Sequence, residues 1–211
     1  MASYDTLAEG VKRGDAGVVE SEVKKALNEE AEPREILEKG LIAAMGAIGE
    51  RFGAGEMFLP EVLMSANAMH QGLKIILPLL EKSGQKVMES VVIGTVEGDI
   101  HNIGKRIVGC LLEATGYKVI DLGVDVKAEA FAQAIEEHKP DILGMSALLS
   151  TTMPNMAKTI NCLKEKGLRG KTKIIVGGAQ VTEQFAKSIG ADGYAPDAVS
   201  AIALVKKLVA G

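Results

Sequence analysis

An α/β fold in two parts is predicted for this chain: an N-terminal four-helix bundle, then a parallel sheet of five strands covered by helices. Three features of the sequence predict it. Up to about residue 82 apolar side chains recur at helical spacing. From Val91 onward, short all-apolar runs alternate with amphipathic stretches. A polar, glycine-containing segment, Glu81-Lys82-Ser83-Gly84-Gln85-Lys86, separates the two patterns. The division predicts a helical domain over 1–86, with the linker at its end, and a second domain over 87–211.

In the first part, Tyr4, Leu7, Ala8 and Val11 form one short stripe, and Val19, Val23, Ala26 and Leu27 form the next. Pro33 suits the first turn of a third helix with Leu37, Leu41, Ala44, Met45, Ile48 and Phe52 on one face. Gly53 and Gly55 end it. A fourth helix follows Pro60, its apolar face carried by Val62, Ala66, Met69, Leu73, Ile76 and Leu80. Four amphipathic helices joined by short breaks predict an antiparallel bundle.

In the second part the apolar runs are Val91–Val96, Val119–Leu122, Ile142–Met145 and Ile174–Val176, with a weak fifth at Gly193-Tyr194-Ala195. Helices are expected at about 103–115, 127–138, 154–166 and 180–189, with a last one near 198–209. Strands that are apolar on both faces belong to a parallel sheet covered on both sides. This is a Rossmann-like, flavodoxin-like arrangement, in which ligands bind at the carboxyl ends of the strands.

Composition bounds the function. With 47% hydrophobic and 25% charged residues among 211, a sizeable core is available. Aromatics are only 3% and Trp is absent, so Leu, Ile, Val, Ala and nine Met must fill it; Met45, Met57, Met64 and Met69 read first as core filler. A net charge of −4 gives no support to nucleic-acid binding. Met1-Ala2-Ser3-Tyr4-Asp5 lacks the regions of a signal peptide, and the run Ile75 to Leu80 is far too short to span a bilayer. A cytoplasmic protein with no membrane partner is therefore expected. Cys110 and Cys162 have neither pairing nor metal spacing and read as reduced thiols. His70 and His138 form no local metal motif with any other histidine, and both read as structural or surface residues.

The chemistry gathers at three predicted strand ends. Gly98-Asp99-Ile100-His101-Asn102-Ile103-Gly104 places a carboxylate and an imidazole two residues apart on a strand-to-helix turn. Such a pair suits a metal ligand whose second ring nitrogen is held by the carboxylate. Read alone, the segment is also a helix cap, Asp99, beside a polar loop histidine. Ser146-Ala147-Leu148-Leu149-Ser150-Thr151-Thr152 is rich in hydroxyls for the end of a buried strand, and Gly177-Gly178-Ala179 permits close approach to the backbone. Together they describe a metal-type ligand, hydrogen-bonding groups and a glycine-lined slot.

That combination is similar to the cobalamin-binding fold of corrinoid methyltransferases, whose pattern is Asp-x-His-x-x-Gly, Ser-x-Leu and Gly-Gly. Here 41 residues separate Gly104 from Ser146 and 28 separate Leu148 from Gly177, and both spacings fit. The string Arg51-Phe52-Gly53-Ala54-Gly55-Glu56-Met57-Phe58-Leu59-Pro60-Glu61-Val62 resembles the helical cap of cobalamin-dependent methionine synthase and of methylotrophic corrinoid proteins. The resemblance thus covers almost the whole chain.

It implies a cobalamin or related corrinoid cofactor, cycling between methylcob(III)alamin and cob(I)alamin. His101 would bind cobalt from below in place of the cofactor's own benzimidazole (base-off, His-on), with Asp99 holding the other ring nitrogen. The family often completes this relay with a Ser hydroxyl, and the matching position here is Thr152. Ser146 would contact the displaced nucleotide tail, Leu148 of the same motif would be among the cofactor-binding residues, and Gly104, Gly177 and Gly178 would give the tail a narrow groove. Phe52 and Leu59 match cap residues that shield the methyl group.

The implied function is a methyl carrier of one-carbon metabolism. It takes a methyl group onto cobalt(I) from a substrate-specific methyltransferase and delivers it to a second methyltransferase, whose acceptor is tetrahydrofolate or a thiol. Both methyltransferases and a reductive activase would be separate partners, and the chain would not be catalytic alone. The alternative is a cobalamin-dependent sensor or regulator; such proteins pair this fold with a DNA-binding head or a Trp-bearing cap, and this chain shows neither feature.

Overall fold

The structure is a computed structural model that describes residues 4–81 and 88–210. The chain divides into two compact units, Met1–Met88 with Glu113–Gly116, and Glu89–Leu112 with Tyr117–Gly211. The predicted linker falls largely on residues 82–87 and so lies outside the described residues.

The first unit is helical: α1 (Asp5–Arg13), α2 (Ala16–Asn28), α3 (Pro33–Glu35), a π-helix (Ile36–Ile42), α4 (Ala43–Gly53) and α5 (Leu59–Glu81). Gly14, at φ 70°, closes α1, and the Asp15 carboxylate accepts the Val18 N–H to start α2. The predicted stripes are the core. Leu7, Val11, Val19, Val23, Leu41, Met45 and Ile48 are buried, as are all six of the residues expected on α5. Met45, Met57 and Met69 are core residues, whereas Met64 is 57% exposed and fills nothing.

The third predicted helix is one continuous run with a π-helix inside it. Its buried residues explain why: Ile36 and Leu37, Gly40 and Leu41, Ala44 and Met45, then Ile48 recur every four positions. An α-helix of 3.6 residues per turn lets such a stripe drift, whereas i→i+5 turns take more residues per turn and hold it toward the core.

The second unit is a five-stranded sheet: β1 (Ser90–Thr95), β2 (Lys118–Asp121), β3 (Ile142–Ser146), β4 (Lys173–Gly177) and β5 (Gly193–Ala195). Every pairing is parallel and the order is β2-β1-β3-β4-β5, as flavodoxin-like patterning predicts. The helices are α6 (Ile103–Ala114), α7 (Ala128–His138), α8 (Pro154–Glu165), α9 (Glu183–Ile189) and α10 (Ala198–Ala210). The helix expected from residue 180 starts later because the Thr182 hydroxyl accepts the Phe185 N–H and fixes the first turn there.

Alternation along the strands builds two cores. Val92, Leu143, Met145, Ile174 and Val176 face Phe131, Ile135, Met156 and Ile160 of α7 and α8. Val91, Ile93, Ile142 and Ile175 face the other way, toward Leu112 of α6 and Val205 of α10. At the carboxyl edge, Thr95, Ser146, Gly177 and Ala195 stand in register across four strands.

Gly94 of β1 exists for this packing. A Cβ there would sit 2.7 Å from Phe131 Cε1, against a fully buried ring. Gly94→Ala should cost about 1–3 kcal/mol in urea unfolding. Adding Gly94→Ala to Phe131→Leu should cost clearly less than adding it to the native chain; equal costs would place the strain elsewhere.

Candidate corrinoid-binding site

The chain leaves β1 through Val96, Glu97 and Gly98, and the turn holds Asp99 in a fixed place. Gly98 has φ 79°, and its N–H donates to Asp125 Oδ1 at 2.7 Å. The Asp125 N–H in turn donates to the Asp99 carbonyl at 3.0 Å. Asn155 of α8 donates to the Glu97 carbonyl at 2.7 Å, and Thr95 Oγ1 donates to the His101 carbonyl at 3.0 Å. The loop is therefore pinned to β1, to the segment after β2, and to α8.

Asp99 itself is fully buried, and its carboxylate is surrounded by donors. Oδ1 accepts from the His101 backbone N–H at 3.0 Å and from His101 Nδ1 at 2.8 Å. Oδ2 accepts from the Leu148 N–H at 2.8 Å and from Thr152 Oγ1 at 2.7 Å. The Thr152 hydroxyl also lies 2.9 Å from the Leu149 carbonyl, but an ionised carboxylate is the stronger acceptor for its single proton. Burial pushes the Asp99 carboxyl up. The bonds from the His101 N–H, the Thr152 hydroxyl, the His101 ring and the Leu148 N–H outweigh it and hold the group well below the usual carboxylate range.

His101 is the exposed end of this relay, its side chain 47% accessible where that of Asp99 is 0%. With Nδ1–H committed to the carboxylate, Nε2 carries the free lone pair. Around it stand apolar side chains left open to solvent: Ile100 is 73% and Ile103 77% exposed, with Leu148 and Leu149 also exposed. Large apolar groups clustered in the open mark a surface built to be covered. Among the described residues, no three His, Cys, Asp or Glu side chains gather to hold a bare metal ion. One imidazole in an apolar collar suits a metal already held by a macrocycle.

Beside His101 opens a cleft of about 730 Å³ between α6 and α10, over the sheet face of β1, β3 and β4. Ser146 and Leu148 line it, as do Gly104, Gly177 and Gly178. The three glycines differ in what demands them. A Cβ on Gly178 (φ 136°) would lie 1.9 Å from the Ala147 carbonyl oxygen, and one on Gly177 would lie 2.9 Å from that of Ala195. Those two are required by the backbone. A Cβ on Gly104 would meet nothing within 4 Å, so this residue keeps the mouth of the cleft clear.

Asp99, His101, Gly104, Ser146, Leu148, Thr152, Gly177 and Gly178 are thus brought together at one sheet edge. Phe52, at the end of α4, and Leu59, the first residue of α5, are half-buried within the helical unit. Sequence reasoning missed the collar of Ile100 and Ile103, the bracing residue Asp125, and the buried Lys105, which pairs with Asp121 in the cleft wall. Ile100 in the loop and Ile103 at the first position of α6, apolar on either side of the histidine where polar residues are usual, were the available signal for the collar.

The B12 binding domain family matches residues 89–203, and a second family, also described as a B12 binding domain, matches residues 4–77. A corrinoid protein of Desulfitobacterium hafniense (strain Y51) is 44% identical over 99% of this chain and 98% of its own length. The trimethylamine corrinoid protein of Methanosarcina barkeri is 46% identical over 94% of this chain and 92% of its own. Among solved structures, the methanol:cobalamin methyltransferase complex of Methanosarcina barkeri matches with a TM-score of 0.86 at 33% identity, covering 99% of this chain and 80% of that one.

The carboxylate relay makes a stability prediction. Asp99→Asn puts an amide N–H₂ where only donors converge and should cost about 2–4 kcal/mol at neutral pH by urea unfolding. Thr152→Ser keeps the hydroxyl and should cost under about 1 kcal/mol, less than Thr152→Val. Because the folded Asp99 carboxyl is depressed, its contribution is complete above the unfolded value near 4 and is lost as pH falls below it. Stability of the native chain should therefore fall more steeply with acid than that of Asp99→Asn; parallel curves would refute the assignment.

Proposed function

The chain belongs to the family of corrinoid proteins built on B12 binding domains, and from that premise we propose that His101 is its lower cobalt ligand and that the protein carries methyl groups between methyltransferases. Its cofactor is cobalamin or a related corrinoid. The observation that carries the residue assignment is the 2.8 Å bond from His101 Nδ1 to a fully buried carboxylate, which leaves Nε2 as the only ring nitrogen with a lone pair to give.

When bound, the corrinoid supplies the cobalt on which the methyl group is accepted and released. The protein's part is to present and to exclude. Asp99 fixes the imidazole tautomer and the orientation of the ring. Thr152 and the Leu148 N–H hold Asp99, so the ring cannot turn without breaking bonds that tie it to the segment between β3 and α8. Ile100, Ile103, Leu148 and Leu149 keep water from the ring's surroundings. The cleft past Gly104 takes the nucleotide tail, with Ser146, Gly177 and Gly178 along its edge.

Curated relatives are named for trimethylamine and dimethylamine, and the matching complex is a methanol:cobalamin methyltransferase. A substrate-specific methyltransferase is accordingly the partner proposed to load this chain, and a second methyltransferase the one that unloads it. A reductive activase and a cytoplasmic location complete the proposal. No helix among the described residues is long and apolar enough to cross a membrane.

The test is spectroscopic. Apoprotein labelled with ¹⁵N-histidine and loaded with hydroxocobalamin should, once reduced to the paramagnetic cobalt(II) state, show splitting from a ¹⁵N nucleus. His101→Ala should abolish it and weaken cofactor binding by about 10–100-fold. A splitting that comes from benzimidazole in the native protein defeats the assignment. Gly104→Leu should abolish uptake while leaving the unfolding midpoint of the apoprotein unchanged or raised, since the side chain enters open space and leucine favours the helix.

A further inference from the structure

The lining of the cleft changes character with depth. Its inner surface is Ile93 and Ile175 on the sheet, Val108 and Leu112 on α6, and Ala201 on α10. Four of these are at most 5% exposed and Val108 is half-buried. The backbone beneath offers no donors or acceptors. Ile93, Gly144 and Ile175 lie side by side in register in β1, β3 and β4, where the ladder engages their N–H and C=O groups. Lys105 lines the wall, but it is buried and its ammonium is paired with Asp121. Polar groups stand toward the mouth, in Asn102, Ser146 and the exposed Asp197, whose carboxylate accepts the Ser200 N–H at the start of α10.

We infer that the inner cleft selects the corrinoid by the polarity of its tail base: it takes an apolar aromatic ring and rejects a purine. The inference rests on the reading that the tail enters this cleft. A purine would bring an amino group and several ring nitrogens into a wall with nothing to pair them, and each would lose its water uncompensated. A benzimidazole loses only one ring nitrogen this way. A phenol-type ring linked through its oxygen loses none. The base also needs no metal-binding nitrogen, because His101 supplies that atom. The cleft therefore ranks tails as phenol-type at least as good as benzimidazole, and both ahead of adenine.

The experiment compares p-cresolyl, 5,6-dimethylbenzimidazolyl and adeninyl cobamides, together with cobinamide, which has no base. Affinity for the apoprotein is read by equilibrium dialysis and by the visible spectrum. Each value is corrected for the fraction of free cobamide whose base is off the cobalt, taken from its own acid titration. The adeninyl form should bind at least tenfold more weakly than the other two after correction. Val108→Thr, which exchanges a methyl for a hydroxyl of the same size, should narrow that gap at least threefold.

Equal or tighter binding of the adeninyl form, failure of the cresolyl form, or an unchanged gap in Val108→Thr overturns the inference. Cobinamide binding as tightly as the dimethylbenzimidazolyl form overturns it too, while the corrinoid-carrier reading stands. Failure of every corrinoid to bind removes that reading and the inference with it.

Discussion

A carboxylate with no exposure to water must be matched on both oxygens, and in this protein that requirement organises the whole sheet edge. Taking Asp99 out of water costs several kcal/mol. Four donors within 3.0 Å offset it, each charge-assisted bond contributing about 1.5–3 kcal/mol. The donors come from two places far apart in the chain, His101 beside it and the Leu148–Thr152 segment after β3. They meet only because Thr95 and Ser146 are paired in register, which sets the two strand ends side by side. A slip of that register would leave a buried negative charge with half its partners. His101 is thereby oriented by the fold's own need to neutralise a buried charge.

This arrangement separates what is rigid from what must stay open. Asp125 sits at φ 54°, an uncommon conformation for a residue with a side chain, and from there bonds Gly98 and Asp99 together. Gly177 and Gly178 let backbones approach closer than any side chain allows. These features fix the turn. Gly104, with empty space where a side chain would go, and the exposed isoleucines on either side of His101 are shaped instead toward something outside the chain. The Gly-Gly pair, read from sequence as a slot for a ligand, is demanded first by the neighbouring carbonyls of Ala147 and Ala195.

Much of this was legible because the pattern is local. Five apolar runs predicted five strands, and the β-order followed from strand–helix alternation. Asp99 and His101 announced themselves by spacing, and Thr152 by matching the position where the family pattern carries a Ser hydroxyl. Thr for Ser changes nothing in the bond, since its hydroxyl reaches Oδ2 at 2.7 Å. The π-helix escaped a reading at the 3.6-residue period, although a period of four is visible in Leu37, Leu41 and Met45, and again in Ala44, Ile48 and Phe52. Asp125 and the Lys105–Asp121 pair escaped for a different reason. Each is meaningful only through a partner brought close by the parallel pairing of β1 and β2, which no single segment encodes.

The division between a polar relay below the imidazole and an apolar surface around it follows from what one ligand must do. A lone imidazole gives little affinity, so tight binding of a large cofactor has to come from buried area, which the collar at the sheet edge and the cleft beside it are able to supply. Apolar area holds without orienting, and orientation has to come from directional bonds. Here those bonds converge on Asp99, whose carboxylate is fully buried, and each is stronger there than it would be at the surface. If the relay were exposed, water would compete for Asp99 and the ring would turn. If the collar were polar, it would hold its own water against the macrocycle. Placing the charge inside and the hydrocarbon outside inverts the usual order of a protein surface, and it lets one histidine be held firmly while its ring remains half open to the cobalt proposed for it.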